Sequence, residues 1–522
     1  MENFGCRAAR ADGEAIAESL HAAGHDCMEQ PSEADVVIVN SCSVTAEADR
    51  AARAYIRRMH RRNPQARIVV TGCYAQRAPE ELAKLEGVAA VVGNSHKALA
   101  PEVAAALLTH ETRESGAATS GRSQPAPSLV AGRGLNRAES GSVNNDRTFA
   151  PGASLFPVQS LLNGTVPIFA DDRFAHSFLE EVQIVPGAQT RPNLKIQEGC
   201  ENRCTFCVIP FTRGPSRSLT PEAVLGQVRG FVQAGGHELV LSGINLGRWG
   251  RDLTSELFQI SESRPAASGP GRPNLTRLVR RILGETDLAR VRLSSIEPMD
   301  WDNEMIALMA EFCRSRLCRH AHLPLQSGSD AVLRRMHRRY RPWHYAEKVA
   351  ELFRAVGPEL TLGADVMVGF PGETDAEFKE TLEFVRGLPF GYLHLFPFSP
   401  RPGTRGWALH LADPVSAAAV GDRMAALRAL AAEKMHAHRE QFIGRELEAI
   451  TLHTPTEMAV RGRTNALSDN FLPIEIEGRL PANLLVQVRV AGLNAETVLE
   501  AMPEHRLHKE HTEVEAAPAP IG

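Results

Sequence analysis

The sequence predicts an α/β protein in three folded parts: a doubly wound N-terminal α/β domain, a partial (β/α)6 barrel and a small C-terminal β-barrel. Three observations carry this. Continuous apolar runs alternate with helical stretches over residues 1–108. Strand-then-helix units repeat about six times over 176–440. Helices then give way to short strands over 441–504. Residues 109–175 are rich in Gly, Ser, Ala and Pro without periodicity and are expected to form a flexible linker or insertion. The tail 505–522 is expected to be disordered.

In the first part, "DVVIVN" (35–40), "RIVVTG" (67–72) and "VAAVVGN" (88–94) are apolar throughout rather than alternating. Such runs suit strands buried on both faces of a parallel sheet. In the second, six strands are predicted at 193–199, 237–243, 290–298, 320–328, 360–372 and 392–400, with polar residues gathered at their C-terminal ends. A barrel keeps its chemistry at that end. In the third, "ELEAITLH", "MAVRGRTNA", "FLPIEIEG" and "LLVQVRVAGL" read as short strands between turns.

The chain has 522 residues, 43% hydrophobic and 23% charged, with a net charge of −4. That balance excludes a globally basic nucleic-acid binder, so any such role must rest on local patches. No run of about 18 apolar residues predicts a membrane span, and no signal-peptide pattern opens the chain. A cytoplasmic, reducing setting is expected, where nine cysteines read as ligands or buried thiols before disulfides.

Three of those cysteines, Cys200, Cys204 and Cys207, fall in "GCENRCTFCVIP" just after the first barrel strand. A redox dithiol needs two thiols and leaves Cys200 idle. A structural zinc site needs four ligands, and no second pair follows at ribbon spacing. Three thiolates suit an iron–sulfur cluster with one iron left open for a substrate. Cys6, Cys42 and Cys73 are spread widely, but Cys42 and Cys73 each follow a predicted parallel strand and so reach one sheet edge. From spacing alone, a second three-thiolate cluster and three inert buried thiols are equally good readings. Cys27, Cys313 and Cys318 are expected to be packing residues, although Cys313 and Cys318 with His320 and His322 spell a weak C-x4-C-x-H-x-H zinc pattern.

The stretch "GCENRCTFCVIPFTRGPSRS" resembles the cluster loop of radical S-adenosylmethionine (SAM) enzymes, specifically the methylthiotransferases. "LSGINLGRWG", "LSSIEP", "HLPLQSGSDAVLRRMHRRY", "DVMVGFPGETDAEFKETLEFV" and "LFPFSPRPGTR" agree with that family. The resemblance implies two 4Fe–4S clusters, one on Cys200, Cys204 and Cys207 and an auxiliary one on Cys6, Cys42 and Cys73. It also implies SAM as radical source and methyl donor, an external electron donor, a sulfur source and no membrane. Hydrogen abstraction from an unactivated C–H, sulfur insertion and methyl transfer would follow. Ser242, Gly243, Ser295, Glu297, Gln326, Gly369 and Gly372 lie at strand ends or in the "GFPGE" turn and are candidates for contacting SAM, with helix capping and turn geometry as the plainer explanation.

Within that family, "FGCRAARADGEAI", "NSCSVTAEADRAARAYIRR" and "LSSIEP" are most similar to the branch acting on tRNA threonylcarbamoyladenosine. The isopentenyladenosine branch and the branch acting on a ribosomal-protein aspartate are the alternatives. A non-catalytic Fe–S carrier or RNA-binding protein is the alternative of another class. Six arginines in 50–62 and five in 334–344 suit phosphates or a solvated helix face equally. The C-terminal module resembles a TRAM domain, an RNA-binding module, yet residues 444–503 hold five Arg, no Lys and eight Asp or Glu. Only "MENFG" precedes Cys6, where family members usually have an apolar strand. That leaves either a very short edge strand or a chain that begins late.

Overall fold

The computed structural model describes residues 1–26, 28, 30, 33–115, 166–172, 174, 190–253, 273–494 and 498–506. Cys27, the bulk of the expected linker and residues 507–522 lie outside the described residues.

The apolar runs of the first part form a five-stranded parallel sheet in chain order: β1 (Glu2–Asn3), β2 (Val36–Ser41), β3 (Arg67–Gly72), β4 (Val88–Gly93) and β5 (Ile168–Phe169). Helices α1 (Arg7–Ala22) and α5 (Ala100–Ser115) cover one face. Ile16, Val103 and Leu107 meet Ile38, Val69 and Val92 there. Helices α2 (Ala46–Arg62), α3 (Cys73–Arg77) and α4 (Pro79–Ala83) cover the other, where Ala52, Ile56, Tyr74 and Leu82 meet Val37, Val39, Ile68 and Val70. Successive strand residues thus enter opposite cores, which is why the runs do not alternate with polar residues.

The second part carries β6 (Asn193–Glu198), β7 (Arg217–Ser218), β8 (Glu238–Gly243), β9 (Arg290–Leu293), β10 (His320–His322), β11 (Thr361–Val368) and β12 (Phe390–Pro397). β6, β8 and β9 pair in parallel, as do β10, β11 and β12, while β7 runs antiparallel on the outer side of β6. Backbone bonds from Cys318 to Val291 (2.9 Å) and from Ile296 to His322 (3.0 Å) join the two groups. The outer wall is built from α6 (Ile209–Thr212), α7 (Pro221–Gln233), α8 (Leu275–Glu285), α9 (Asn303–Phe312), α10 (Asp330–Arg335), α11 (Pro342–Val356), α12 (Asp375–Gly387), α13 (Arg405–Ala412) and α14 (Ala417–Glu440). Among the described residues β12 pairs only with β11, so the barrel stays open along that side.

The C-terminal module begins with β13 (Glu446–Thr451), a short helix α15 (Thr456–Val460), β14 (Arg463–Ser468) and β15 (Pro473–Glu477). With β16 (Leu485–Leu493) and β17 (Leu499–Arg506) it closes a barrel in the order β13–β14–β15–β17–β16. It docks beneath the larger barrel, where the strands begin. Arg290 reaches Glu448, Arg319 Nε bonds Asp469 at 2.6 Å, and Asn470 Nδ2 donates to the Glu359 carbonyl at 3.2 Å.

Several expectations shift. α5 runs to Ser115 and β5 sits at 168–169, both inside the segment read as linker, because the short apolar run "VPIFA" completes the sheet edge. β9 and β10 stop at Leu293 and His322, well short of 298 and 328. Pro324 has no N–H for a ladder, and Gln326 turns the chain with φ +65°. "MAVRGRTNA" splits into the end of α15 and the start of β14. β17, absent from the expected strands, reaches into the segment read as tail. Before Cys6 the sheet carries only a very short edge strand, the two-residue β1.

Candidate functional site

Cys6, Cys42 and Cys73 sit at the C-terminal ends of three neighbouring parallel strands. Cys6 caps α1 beyond β1, Cys42 directly follows β2, and Cys73 directly follows β3 as the first residue of α3. The packing is close: a Cβ on Gly5, at φ +125°, would lie 2.0 Å from the Cys42 Cβ, so only glycine lets the two chains meet there. Glycines at positive φ also precede Cys73 and Cys200. The neighbouring Cys42 thiol, with Arg213 nearby, holds Cys6 far below an ordinary thiol. The neighbouring Cys6, burial and Cys73 push Cys42 up. One sulfur has donors from both domains: Asn94 Nδ2 reaches Cys73 Sγ at 3.3 Å and Arg213 Nε at 3.2 Å.

The second triad lies in the loop after β6. Cys200 N bonds the Gly214 carbonyl (3.1 Å), Cys207 N bonds the Cys204 carbonyl (3.1 Å), and Thr205 N bonds the Met336 carbonyl (3.1 Å). Asn202 N and Ile209 N aim at the Sγ of Cys200 and Cys207, both at 3.4 Å. Arg338 Nη1 donates to Cys204 Sγ at 3.3 Å, and Asn245 Nδ2 lies 3.6 Å from Cys200 Sγ. Burial pushes the Cys207 thiol up to about 12, with Cys204 and Cys200 adding to the shift. Cys200 is raised by burial and by Cys204. Bare thiolates therefore resist crowding here, and a cationic metal centre would relieve all three. Three convergent thiolates with amide and guanidinium donors on the sulfurs fit an iron–sulfur cluster at each triad.

The two triads meet across a buried charge network. Asp12 and Lys97 come from the first domain, and Lys195, Glu198 and Arg213 from the barrel. Lys97 pairs with Asp12 (2.9 Å) and Glu198 (3.5 Å), Lys195 with both acids, and Arg213 with Asp12 (3.0 Å) and Glu198. Burial alone would raise both carboxyls, yet Lys195, Lys97 and Arg213 hold them below the carboxylate range. Three basic side chains thus face two acids beside Cys73, and burial lowers the pKa of one of them, Lys97. Asn94 Nδ2 also donates to the Thr212 carbonyl (2.8 Å), tying the strand-end loop of one domain to the cluster loop of the other.

The SAM candidates from sequence have these surroundings. Ser242 Oγ donates to the Leu194 carbonyl (3.3 Å), and Gly243 abuts Gln197. Ser295 Oγ pairs with His322 Nδ1 at 2.6 Å, and Glu297 forms an ion pair with Arg338. Gln326 is buried with a left-handed backbone. Gly369 and Gly372 have φ of +75° and +71°, and Glu373 between the turn and α12 accepts from Gly369 N at 2.9 Å. Cys313 and Cys318 are buried, while His320 and His322 contact Tyr392 inside the barrel. Sequence reasoning missed Arg213, Asn94, Asn245 and Arg338. Arg338 belongs to the arginine-rich stretch 334–344, but its charge faces Glu297 and Cys204 instead of solvent.

The model of the radical SAM superfamily matches residues 194–385, and that of uncharacterized protein family UPF0004 matches residues 1–93. The threonylcarbamoyladenosine tRNA methylthiotransferase MtaB of Bacillus subtilis is 32% identical, covering 92% of this chain and 90% of its own. The chain belongs to the radical SAM methylthiotransferase family. The protein of the same name from Aquifex aeolicus is 31% identical over 94% of this chain and 99% of its own. A tRNA-2-methylthio-N(6)-dimethylallyladenosine synthase of Geobacter metallireducens is 31% identical over 81% of this chain and 78% of its own. The enzyme is thus a transferase whose family chemistry requires an iron–sulfur cluster and SAM. Among the described residues, no helix is long and apolar enough to cross a membrane.

Proposed function

We propose that this methylthiotransferase acts on tRNA, converting N6-threonylcarbamoyladenosine beside the anticodon to its 2-methylthio derivative, with Cys200, Cys204 and Cys207 holding the SAM-cleaving cluster and Cys6, Cys42 and Cys73 an auxiliary cluster. When bound, the first cluster supplies the electron that cleaves SAM and the second supplies the site of sulfur delivery. The observation that carries the reading is the junction of the triads. Arg213, six residues past Cys207, bonds the sulfur of Cys73, so both thiol sets serve one interdomain space. The relatives named above support the substrate class.

The chain's own part is positioning. Asn245, Arg338 and the loop amides orient the first triad, and Asn94 and Arg213 the second. Ser295 and Glu297 lie in the segment just after β9, beside His322 and Arg338, where they can take hydroxyl donors from SAM. Nucleoside mass spectrometry of tRNA from a deletion strain tests the reading. Loss of the methylthio-threonylcarbamoyl nucleoside is expected. An unchanged level overturns it, and loss of the methylthio-dimethylallyl nucleoside instead assigns the enzyme to the other tRNA substrate. An unchanged tRNA pool together with loss of a methylthiolated ribosomal aspartate would assign the protein-modifying alternative.

A further inference from the structure

Closed parallel barrels pack their interiors with branched aliphatic side chains. This partial barrel does not. Along β10 and β11, Ala321, Leu323, Leu362, Ala364 and Val366 enter the core beneath the helices. Among the alternate positions are His320, His322, Gly363 and Asp365, which group around Tyr392 and His394. β12 adds Tyr392 and His394, register partners of Gly363 and Asp365.

These groups converge. Ser295 Oγ meets His322 Nδ1 at 2.6 Å. His322 Nε2 lies 3.6 Å from Asp365 Oδ1, and His394 Nδ1 lies 3.3 Å from that same oxygen. One polar belt thus crosses from the segment after β9 (Ser295) through the end of β10 (His322) to the middle of β11 (Asp365) and β12 (His394). Tyr392 lies across Gly363, where a Cβ would stand 2.1 Å from its ring, and bonds His320 at 2.8 Å. The floor is Phe471 of the C-terminal barrel, 4.4 Å from the His320 ring and 5.3 Å from that of Tyr392. Its backbone has φ +66°, a conformation a bulky residue holds only when packing enforces it. Side-chain exposure climbs along the belt, from 5% at His322 to 25% at Asp365 and 58% at His394. The belt therefore runs from the buried lumen out to the exposed side chain of His394 on β12. Its upper end is near the first cluster site, because Glu297, two residues from Ser295, pairs with the Arg338 that bonds Cys204.

The two substrate groups named for the relatives differ in one respect that such a chamber can read. A threonylcarbamoyl group carries ureido N–H donors, a hydroxyl and a carboxylate. A dimethylallyl group carries no hydrogen-bonding atom. Seating the latter here would strip water from Asp365 and the imidazoles and give nothing back, whereas a site built to hydrogen-bond a substrate rejects the analogue lacking those groups. We propose that the chamber lined by His322, Asp365, Tyr392 and His394 receives the N6 substituent of the substrate adenosine, and that Asp365 and His394 select a polar, hydrogen-bonding substituent over an apolar one. Asp365 accepts from the ureido or hydroxyl donors, and His394, at the open edge, donates to the carboxylate. This rests on the tRNA reading proposed above.

The test compares two anticodon stem-loops, one bearing threonylcarbamoyladenosine and one dimethylallyladenosine, as substrates of the reconstituted enzyme. The readout is the ratio of their kcat/KM values, with the ratio of their equilibrium Kd values read in parallel. Damage to the clusters, SAM binding or folding falls on both substrates and cancels in the ratio. The wild type is expected to prefer the polar substrate at least ~100-fold. Asp365→Ala and His394→Leu should each shrink that preference about tenfold or more, while His394→Gln, which keeps a donor, should stay within about threefold of wild type. His394 is on an exposed edge, so its variants should fold. A wild-type preference that both Asp365→Ala and His394→Leu leave unchanged overturns the chamber assignment alone. A wild type that prefers the dimethylallyl substrate overturns the assignment and the choice of nucleoside. A wild type that turns over neither stem-loop overturns this inference together with the tRNA reading.

Discussion

Arg213 donates its Nε–H to the sulfur of Cys73 at 3.2 Å, although the two residues belong to different domains. Its other nitrogens are held by Asp12 and Glu198, so the guanidinium is fixed in place and wholly buried. A cation bonded to a ligand sulfur favours the reduced form of a cluster and raises its potential. Arg213→Gln is expected to lower the midpoint potential of the proposed auxiliary cluster by about 59 mV, a tenfold change for one electron. Arg213→Lys should fall between. Potentiometry followed by electron paramagnetic resonance in a Cys200/Cys204/Cys207→Ala background isolates that cluster. An unmoved potential would reduce Arg213 to a structural strut.

The same substitution removes one of three cations facing two buried carboxylates. Breaking such a buried arrangement costs about 3–5 kcal/mol, because the remaining charges lose compensation without regaining water. Arg213→Gln should therefore melt well below wild type even with no cluster loaded. Adding Glu198→Gln should recover part of the loss, because it removes the buried carboxylate that no longer has its guanidinium partner. Non-additivity in that double-mutant cycle is the quantity to measure.

Two thiol triads predict a simple iron count. The reconstituted enzyme should hold about eight irons, and replacing either triad by alanine should leave about four. The Cys6 member is the informative one. It caps α1 just past a two-residue strand, beside the β2 end that carries Cys42. If Cys6→Ala retains all eight irons after gel filtration, the auxiliary site does not use Cys6.

Glu297 and Arg338 form the matching arrangement at the first triad, with Arg338 also bonding Cys204 and stacking 5.0 Å over Tyr340. Glu297→Ala leaves that buried guanidinium without its carboxylate and removes an acceptor at the barrel mouth. SAM affinity should fall about tenfold, near the upper range for a lost charge-assisted hydrogen bond. Equilibrium binding of SAM to the reconstituted enzyme, alongside 5′-deoxyadenosine release, checks this. Unchanged values of both would remove Glu297 from the SAM site.

The residue patterns that write themselves locally were legible in the sequence. "CENRCTFC" announces a candidate three-thiolate site because all three cysteines are on one loop, and the apolar runs of β2 to β4 announce a sheet buried on both faces. What could not be read was contact across long separations. Arg213 reaches Cys73 over 140 residues, Arg338 reaches Cys204 over 134, and His322, Asp365 and His394 meet only because three strands stand side by side. Charge counting failed for the same reason. Arg335 and Arg338 look like surface charge in "RRMHRRY", but folding turns them onto Glu377 and Glu297. β5 and β17 escaped notice because a two-residue strand and a strand with a central proline carry little periodic signal.

His438 gives the fold a pH dependence of predictable sign. It lies near the C-terminal end of α14, buried against β11 and β12. Its Nδ1 accepts from Gln441 Nε2 at 2.7 Å and its Nε2 pairs with Thr361 Oγ1 at 2.8 Å, while a Cβ on Gly391 would touch its ring. Burial, with Arg439 beside it, lowers its pKa from 6.5 to about 4. The unfolded chain therefore takes up the proton first as pH falls. The contribution of the neutral imidazole is complete above about pH 6.5 and is lost progressively down to about pH 4, amounting to about 2 kcal/mol by about pH 5. Glu238 behaves alike lower down: burial opposes its charge, but Arg292, Arg191 and Arg290 hold it near 2, so its share is lost only below about pH 4.5. His438→Gln keeps an amide able to bond Thr361 and cannot titrate. Its melting temperature should drop less between about pH 7.5 and about pH 5 than that of the wild type, and equal drops in the two proteins would show that His438 does not set the acid sensitivity in that window.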